Sequence, residues 1–469
     1  MPGKVSVRLE PSREAEVAPS PELRRRSIWP VLLALLVGVA ALSLLFARPQ
    51  SLGFLWPAAM PAGLSGRITA LAAIVIFAAT YLAVAIGRLP VFSVDRPAAA
   101  FIGASLMVGF GVLTLREAYQ AIDFDTLALL LGVMIVVGSL RPSGFFRLLA
   151  GWIVRRARHP LILLSGLVCL SGFLSALLVN DGICLALTPL VLEVARRARR
   201  RPVPYLLGLA MASNAGSVAT ITGNPQNMMI GSWSQIPYAA FAGALAPVAA
   251  VGLLLTIVLL VLAYPSEFCT RDLLADEPGP GNPDGASATR SAVIALGMVV
   301  AFFLGVAPAR AAVCAAALVL LSRKVASQKI YLEVDWTLLL LFVGLFIVAA
   351  GLERSVLTPK IVAALAGVYL SSVPALTAVT AALSNLVSNV PAVLVLKPFV
   401  ASLPDPRSGW LTVAAASTLA GNLTLVGSVA NLIVVQRARE RGVSIGFWEY
   451  FRVGAPLTVA ALAAAVLLL

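Results

Sequence analysis

The chain has 469 residues, 60% of them hydrophobic and only 12% charged, with a mean hydropathy of +0.95 and a formal net charge of +14. Soluble domains carry roughly 25% charged residues, so this composition excludes a soluble globule. The basic residues sit in short loops between apolar runs, which fits membrane orientation and argues against nucleic acid as a partner.

Residues 1–27 are polar and contain Arg24-Arg25-Arg26, and they read as a disordered cytoplasmic tail. The basic cluster lies too far from the start for a signal peptide. Apolar runs near 28–46, 68–87, 97–115, 124–140, 203–230, 241–264, 290–307, 309–322, 336–350, 408–435 and 451–469 predict about eleven crossings, since about 20 residues span roughly 30 Å of hydrocarbon. Two further stretches, 160–195 and 371–403, are interrupted at Asn180-Asp181 and at Ser388-Asn389. Each is either two spans or one hairpin that enters and leaves on the same side. With Arg24–Arg26 inside, the positive-inside rule puts Arg141, Arg147, Arg155, Arg156, Arg158, the run Arg196–Arg201, Arg323, Lys324, Arg437, Arg439 and Arg441 in the cytoplasm, and the C-terminus outside. The first membrane half is then 28–264 and the second 290–469, joined by a cytoplasmic Pro- and Gly-rich linker, 265–289.

The halves echo each other. Ala212–Ile230 laid over Ala416–Val434 without gaps matches Ala212/Ala416, Ser213/Ser417, Thr220/Thr424, Gly223/Gly427 and Asn227/Asn431. The same order of elements recurs: Asp125 and Asp335 before an apolar run, Asn180…Pro189 and Asn389…Pro398 in the interrupted stretches, then this polar helix, then Pro247 and Pro456. An odd number of crossings per half inverts the second, the plan of many secondary transporters, which bind solute where the halves meet.

Gly, Pro and Asn clusters inside a span imply irregular backbone that faces protein or water. In Thr220–Asn227, Gly223 is expected to let the chain leave helical geometry, Asn224 to cap a new half-helix and Pro225 to fill its first turn. Asn422, Thr424, Gly427, Ser428 and Asn431 offer the same chemistry in the second half. Asn180 or Asp181 is expected to cap one hairpin arm, and Ser388 or Asn389 the other. Four helix ends would then converge on one polar cavity, with N–H groups suited to an anionic or oxygen-rich solute and Asn, Ser and Thr oxygens suited to sodium. The candidate site is Asn180, Asp181, Ser213, Asn214, Thr220, Thr222, Gly223, Asn224, Asn227, Ser388, Asn389, Asn422, Thr424, Gly427, Ser428 and Asn431, with sodium assigned to Asn180, Asp181, Asn224 and Asn389.

Asp181 is the clearest carboxylate within an apolar stretch, the kind of residue that serves ion or proton pathways, and Val390 takes its place in the second half. Asp123, Asp125, Glu333 and Asp335 read as helix N-terminal charges, Glu193 as paired with the nearby arginines, and His159 as a loop residue. Of Cys169, Cys184, Cys269 and Cys314, three lie in apolar segments and are expected to be small buried hydrophobes.

The stretches Val179–Val191, Ser213–Asn227, Leu383–Leu394 and Gly421–Val434 resemble the ion transporter superfamily that includes arsenite permeases, D-type sodium/proton antiporters and divalent-anion/sodium symporters. The Asn-Asp pair and the Leu423–Ser428 stretch look most like its arsenite-permease and related anion-permease branches. The resemblance implies an all-α membrane protein of two inverted repeats, each with a re-entrant hairpin and a broken helix. The hairpin tips, Val-Asn-Asp and Ser-Asn-Val, depart from the Ser-Asn-Thr of the dicarboxylate symporters.

The expected function is a secondary transporter, not an enzyme, that moves a small anion or an oxyacid such as arsenite across the inner, plasma membrane. Coupling would be to protons, sodium or the membrane potential through Asp181. Sodium/proton antiport and an ion channel are the alternatives. No cofactor is expected beyond the coupling ion; the partners are lipid and the solute, and a homodimer is compatible with the sequence.

Overall fold

In hydrocarbon each backbone N–H and C=O must find its partner within the protein, so apolar runs become helices. The computed structural model describes residues 64–89, 94–270, 285–321, 327–357, 362, 370 and 372–469. The tail 1–27, the run 28–46, most of the linker, and Arg323 and Lys324 lie outside the described residues.

The first half contains α1 (Leu64–Ile86), α2 (Arg96–Gly109), α3 (Leu115–Ala121), α4 (Phe124–Leu140), α5 (Phe145–Arg156), α6 (Pro160–Leu177), α7 (Asn180–Arg197), α8 (Pro202–Ser217), a short 3-10 turn (Ile221–Gly223), α9 (Pro225–Ser234) and α10 (Tyr238–Ala263). A single turn, α11 (Pro265–Phe268), follows. The second half contains α12 (Gly285–Phe303), α13 (Pro308–Leu320), α14 (Ser327–Tyr331), α15 (Trp336–Ser355), α16 (Val373–Val387), α17 (Asn389–Ala401), α18 (Pro406–Ala420), α19 (Val429–Arg439) and α20 (Phe447–Leu468). The strand pairing among the described residues is one antiparallel two-residue ribbon, Arg88–Leu89 with Val94–Asp95.

Six described helices are long and apolar enough to cross a membrane: α1, α6, α10, α12, α15 and α20. α3 and α4, bent by 53° at their junction, together make a seventh. The remaining expected runs within the described residues coincide with shorter helices (α2, α13) or with broken ones (α8 and α9; α18 and α19).

The fold is all-α with two inverted repeats, and helix packing displays their symmetry. α4 packs on α13 as α15 packs on α2; α6 packs on α8 as α16 on α18; α7 meets α19 as α17 meets α9. Gly132 and Gly344 stand equally far from the N-caps of α4 and α15, Asp123 and Asp335. A Cβ on Gly132 would lie 2.7 Å from the backbone of Ala312, and one on Gly344 would lie 2.5 Å from that of Ala100. Each glycine thus lets two helix backbones touch, the way membrane helices associate when lipid competes for apolar surface.

Several expectations change. The run 97–115 is not one helix: α2 stops at Gly109, Gly111 turns with φ +69°, and α3 starts afresh from a capping box between Thr114 and Glu117. α5, read as a charged loop, is an amphipathic helix that buries Phe146, Ala150 and Ile153 and exposes Trp152, with Arg156 stacked on the Trp152 ring. Of the four cysteines only Cys184 is buried. Cys169 on α6 and Cys314 on α13 lie on exposed faces of apolar helices, Cys314 beside a large hollow.

Other expectations hold. Asp123 and Asp335 cap α4 and α15 by accepting from Thr126 N and Leu338 N, each at 3.0 Å. Glu193 pairs with Arg197 at 2.5 Å. His159 occupies the N-cap of α6, its Nδ1 accepting from Leu161 N at 3.1 Å.

Candidate functional site

The first chain break lies between α8 and α9. Asn224 caps α9, its Oδ1 accepting from Asn227 N at 2.9 Å, and Pro225 fills the first turn. Gly223 is required for a different reason than the one the sequence suggests. Its φ is not in the left-handed region; a Cβ would lie 2.1 Å from the Ser217 carbonyl oxygen, so the chain folds back on itself too closely for any side chain. The Asn227 amide closes the loop by donating to Ser217 O (3.2 Å) and Thr220 O (3.0 Å). Thr220 donates to Ala176 O, and Thr222 bonds Leu177 O and the Tyr238 hydroxyl, so these two hydroxyls dock the break on the end of α6.

The second break, residues 421–428, repeats the device. Asn431 donates to Gly421 O (2.8 Å) and Thr424 O (3.2 Å), the counterparts of Ser217 and Thr220. Gly427 again faces the equivalent carbonyl, Gly421 O, at 2.9 Å from where its Cβ would be. Ser428 holds the N-cap position of α19, but its side chain does not cap; its hydroxyl donates to Asn214 Oδ1 at 2.9 Å. In mirror fashion Asn224 Nδ2 donates to Thr418 Oγ1 at 3.1 Å, and Thr418 is the counterpart of Asn214.

Asn214 joins the halves. Its amide donates to Asn422 Oδ1 (2.9 Å) and Asn431 Oδ1 (3.0 Å), and its Oδ1 accepts from Ser428 and from Asn180 Nδ2 (3.3 Å), which uses all four of its hydrogen-bonding positions. Ser213 donates to Asn180 O at 3.2 Å and meets Ser175 at 2.9 Å, fixing the tip of the first hairpin.

The hairpin tips do not cap as expected. α7 begins at Asn180 with Val179 in the N-cap position and no side-chain cap, so Asn180 and Asp181 are already in the first turn. Asn180 is instead drawn to Asn214. In the second hairpin Ser388 takes the N-cap position of α17 with φ +80°, a strained value for a residue with a side chain, and makes no cap bond. The halves also differ in satisfaction. Ser171 and Ser175 on α6 are hydrogen-bonded, whereas the matching Thr380 and Ser384 on α16 are buried without partners.

One cavity of about 230 Å³ is lined by four helix starts: Asn180 and Asp181 of α7, Pro225 and Gln226 of α9, Asn389 and Pro391 of α17, Ser428 and Val429 of α19. Each start presents a partial positive charge of roughly half a unit. Asn180 and Asn389 each leave a side-chain oxygen buried and unpartnered. Ser213, Asn214, Thr220, Thr222, Gly223, Asn224, Asn227, Asn422, Thr424, Gly427 and Asn431 do not line it; those that hydrogen-bond hold the breaks and tips that do.

Sequence reasoning missed Arg96, Gln226 and the second role of Asp335, all of which line the cavity. Arg96 is the first residue of α2 and has no ion-pair partner among the described residues. A cation there opposes the helix dipole, and that mismatch was the available signal. Asp335 is exposed, so the cavity opens on its side. A larger hollow of about 890 Å³ lies at the start of α4, beside Asp125 and Arg310; it reaches Ile221 and Met228 but none of the four helix starts. Among the described residues no group of three His, Cys, Asp or Glu is arranged to hold a metal.

The family model described as a citrate transporter matches residues 81–420. The chain belongs to the citrate transporter family. It is a multi-pass membrane transporter of that family. The chain is 30% identical to the silicon efflux transporter LSI3 of Oryza sativa subsp. japonica, over 79% of this chain and 91% of that one. It is 30% identical to an uncharacterized transporter of Mycobacterium tuberculosis, over 83% and 96%. It is 23% identical to a putative arsB transporter of Dictyostelium discoideum, over 78% and 85%. The fold is similar to that of the Alcanivorax borkumensis YdaH transporter, with a TM-score of 0.57 at 15% identity, over 87% of this chain and 97% of that one. For this citrate-transporter-family chain the superfamily resemblance therefore holds.

Proposed function

We propose that the chain is a secondary active transporter that binds a small anion, or an oxyacid such as arsenite, in the 230 Å³ cavity and moves it across the plasma membrane, with N-terminus inside and C-terminus outside. The observation that carries this reading is the convergence of four helix starts and the unpaired Arg96 on one cavity. Anions bind where N–H groups and a guanidinium face them, and inverted-repeat transporters hold solute at such broken helices. The cavity is smaller than the roughly 300–1,000 Å³ of pockets that take drug-sized ligands, which favours an inorganic oxyanion or a compact carboxylate. The family description adds citrate to the candidates, and the rice relative's name adds silicon, which we take in the form of its oxyacid, silicic acid. Because the cavity opens beside Asp335 on the side of the Arg141 and Arg196–Arg201 clusters, this reading makes the conformation inward-open.

Coupling runs through Asp181, with a sodium ion held by Asp181 and the free oxygens of Asn180 and Asn389, or with a proton. Asn224, whose Oδ1 accepts from Asn227 N, serves by holding the break. Thermal stabilisation of purified protein by arsenite, silicic acid, sulfate, phosphate, citrate and succinate, each with and without sodium, tests the reading. A shift for at least one solute is expected. No shift for any of them, together with a sodium-dependent pH change in vesicles lacking added anion, would replace it with sodium/proton exchange.

A further inference from the structure

A second, narrower hollow of about 80 Å³ leaves the solute cavity at Asp181. The two share Asp181, Asp335 and Leu338, and the narrow one continues between α4, α7 and the start of α15 to Glu333 and Arg141. Glu333 and Arg141 form an ion pair with 27% and 28% of their side-chain surface exposed, so this end lies near the surface. The hollow owes its room to two glycines. A Cβ on Gly182 would stand 3.0 Å from Val137 Cγ1, and one on Gly138 would stand 3.0 Å from Glu333 Cβ. Three carboxylates face one guanidinium across walls of Met134, Val137, Leu185 and Ile433, and low-dielectric walls focus the field of such a set. The space holds a few waters, each claiming about 30 Å³, and its charge repels the anion that Arg96 attracts on the other side. At the junction, Asn180 is 4% exposed and its Oδ1 has no partner, a free oxygen next to Asp181.

We infer that this passage is the route by which the coupling cation, a proton or a sodium ion, moves between Asp181 and the cytoplasm, leaving the solute's path where the two hollows join at Asp181 and Asp335 and running past Glu333, with the Arg141–Glu333 pair at its outer end. The inference rests on the reading above that a cation is coupled through Asp181. It assigns Glu333 and Asp335 a role beyond that of charges at a helix start.

A test that needs no solute uses the full chain in vesicles, with its four cysteines replaced by serine and a single cysteine introduced by Met134→Cys. Met134 lines the narrow hollow but not the solute cavity. The cationic aminoethyl and anionic sulfonatoethyl methanethiosulfonates are compared from the arginine-rich side, each rate divided by its rate with free cysteine. The cation is expected to react at least tenfold faster. Glu333→Gln with Asp335→Asn should cut that preference at least threefold, and Gly182→Val should slow both reagents. Equal normalised rates overturn the route. Should Met134→Cys fail to fold, Leu185→Cys replaces it.

A second arm keeps the native cysteines. Glu333→Gln is expected to lower the citrate-evoked signal of a trapped pH dye or of 22Na⁺ at least tenfold, and to leave citrate counterflow within twofold. The dye identifies a proton and 22Na⁺ a sodium ion. Loss of counterflow together with the ion signal, at unchanged melting temperature, overturns the separation of the two routes. Absence of counterflow in the wild type with every solute of the panel contradicts the proposed function instead, and the thiol arm then decides the passage by itself.

Discussion

Asn227 and Asn431 hold the two chain breaks in the same way, each donating its side-chain amide to a pair of backbone carbonyls at equivalent places, Ser217 and Thr220 in one half and Gly421 and Thr424 in the other. They differ on the oxygen side. Asn431 Oδ1 accepts from Asn214, whereas Asn227 Oδ1 is buried and unpartnered. Replacing either by alanine leaves buried carbonyls short of a donor, at about 1–3 kcal/mol, and Asn431→Ala additionally strands the Asn214 amide. Asn431→Ala should therefore lower the melting temperature of the purified protein more than Asn227→Ala. Asn214→Ala should be non-additive with Asn431→Ala by at least about 0.5 kcal/mol and additive with Asn227→Ala. Equal and additive effects throughout would contradict the network.

The glycines separate by what surrounds them. Gly132→Ala and Gly344→Ala push a methyl into the backbone of Ala312 and Ala100, which cannot rotate away as a side chain could. Each is expected to cost about 1–3 kcal/mol. Gly297, in the interior of α12, and Gly243, in that of α10, have nothing within 4 Å of an added Cβ. Gly297→Ala and Gly243→Ala should be neutral or stabilise by up to about 1 kcal/mol, because alanine loses less backbone entropy than glycine in a helix. Thermal melts of the four variants in one detergent check the contrast.

Much of this was legible in the sequence because membrane helices announce themselves by length, and because polar residues inside an apolar run are conspicuous. Asn180-Asp181, Asn224-Pro225, Ser388-Asn389 and Asn431 were all found this way. Their individual roles were less legible. Whether an asparagine caps its own helix or reaches another depends on which helix packs beside it, so Asn224 capped as expected while Asn180 and Ser428 turned to Asn214. Arg96 escaped notice because Asp95 and Pro97 make an ordinary helix start and the misplaced sign of Arg96 is a weak signal by itself; only packing shows that this start borders the same cavity as both hairpin tips. α5 was hidden by Arg147, Arg155 and Arg156, which interrupt the apolar run although they lie on one helix with a buried face.

If the cavity binds solute as proposed, Arg96 should discriminate between solute classes. A guanidinium in a cavity of helix starts attracts an anion strongly and a neutral oxyacid weakly, since charge-assisted hydrogen bonds are roughly twice as strong as neutral ones. Arg96→Gln should raise the half-saturation concentration for an anion such as citrate or sulfate at least tenfold and change that for silicic acid or arsenite less than threefold. Arg96→Lys should fall between. Uptake assays at fixed membrane potential measure this, and an equal effect on charged and neutral solutes would assign Arg96 a structural role.

Asp181 is the sharpest test of coupling. It lines both the 230 Å³ cavity and the passage toward Glu333, and its counterpart Val390 lines the 230 Å³ cavity without a charge. It accepts no side-chain hydrogen bond that would make it a cap, and α7 begins at Asn180 without one. Asp181→Asn keeps the shape and removes the charge, so the hairpin tip, held by Asn180 and Ser213, should stay folded. Exchange of solute across proteoliposomes should persist, while accumulation driven by a proton or sodium gradient falls to the level of equilibration. A variant that still accumulates solute against its gradient would remove Asp181 from the coupling route. One that loses exchange and accumulation together, with an unchanged melt, would place it in solute binding instead.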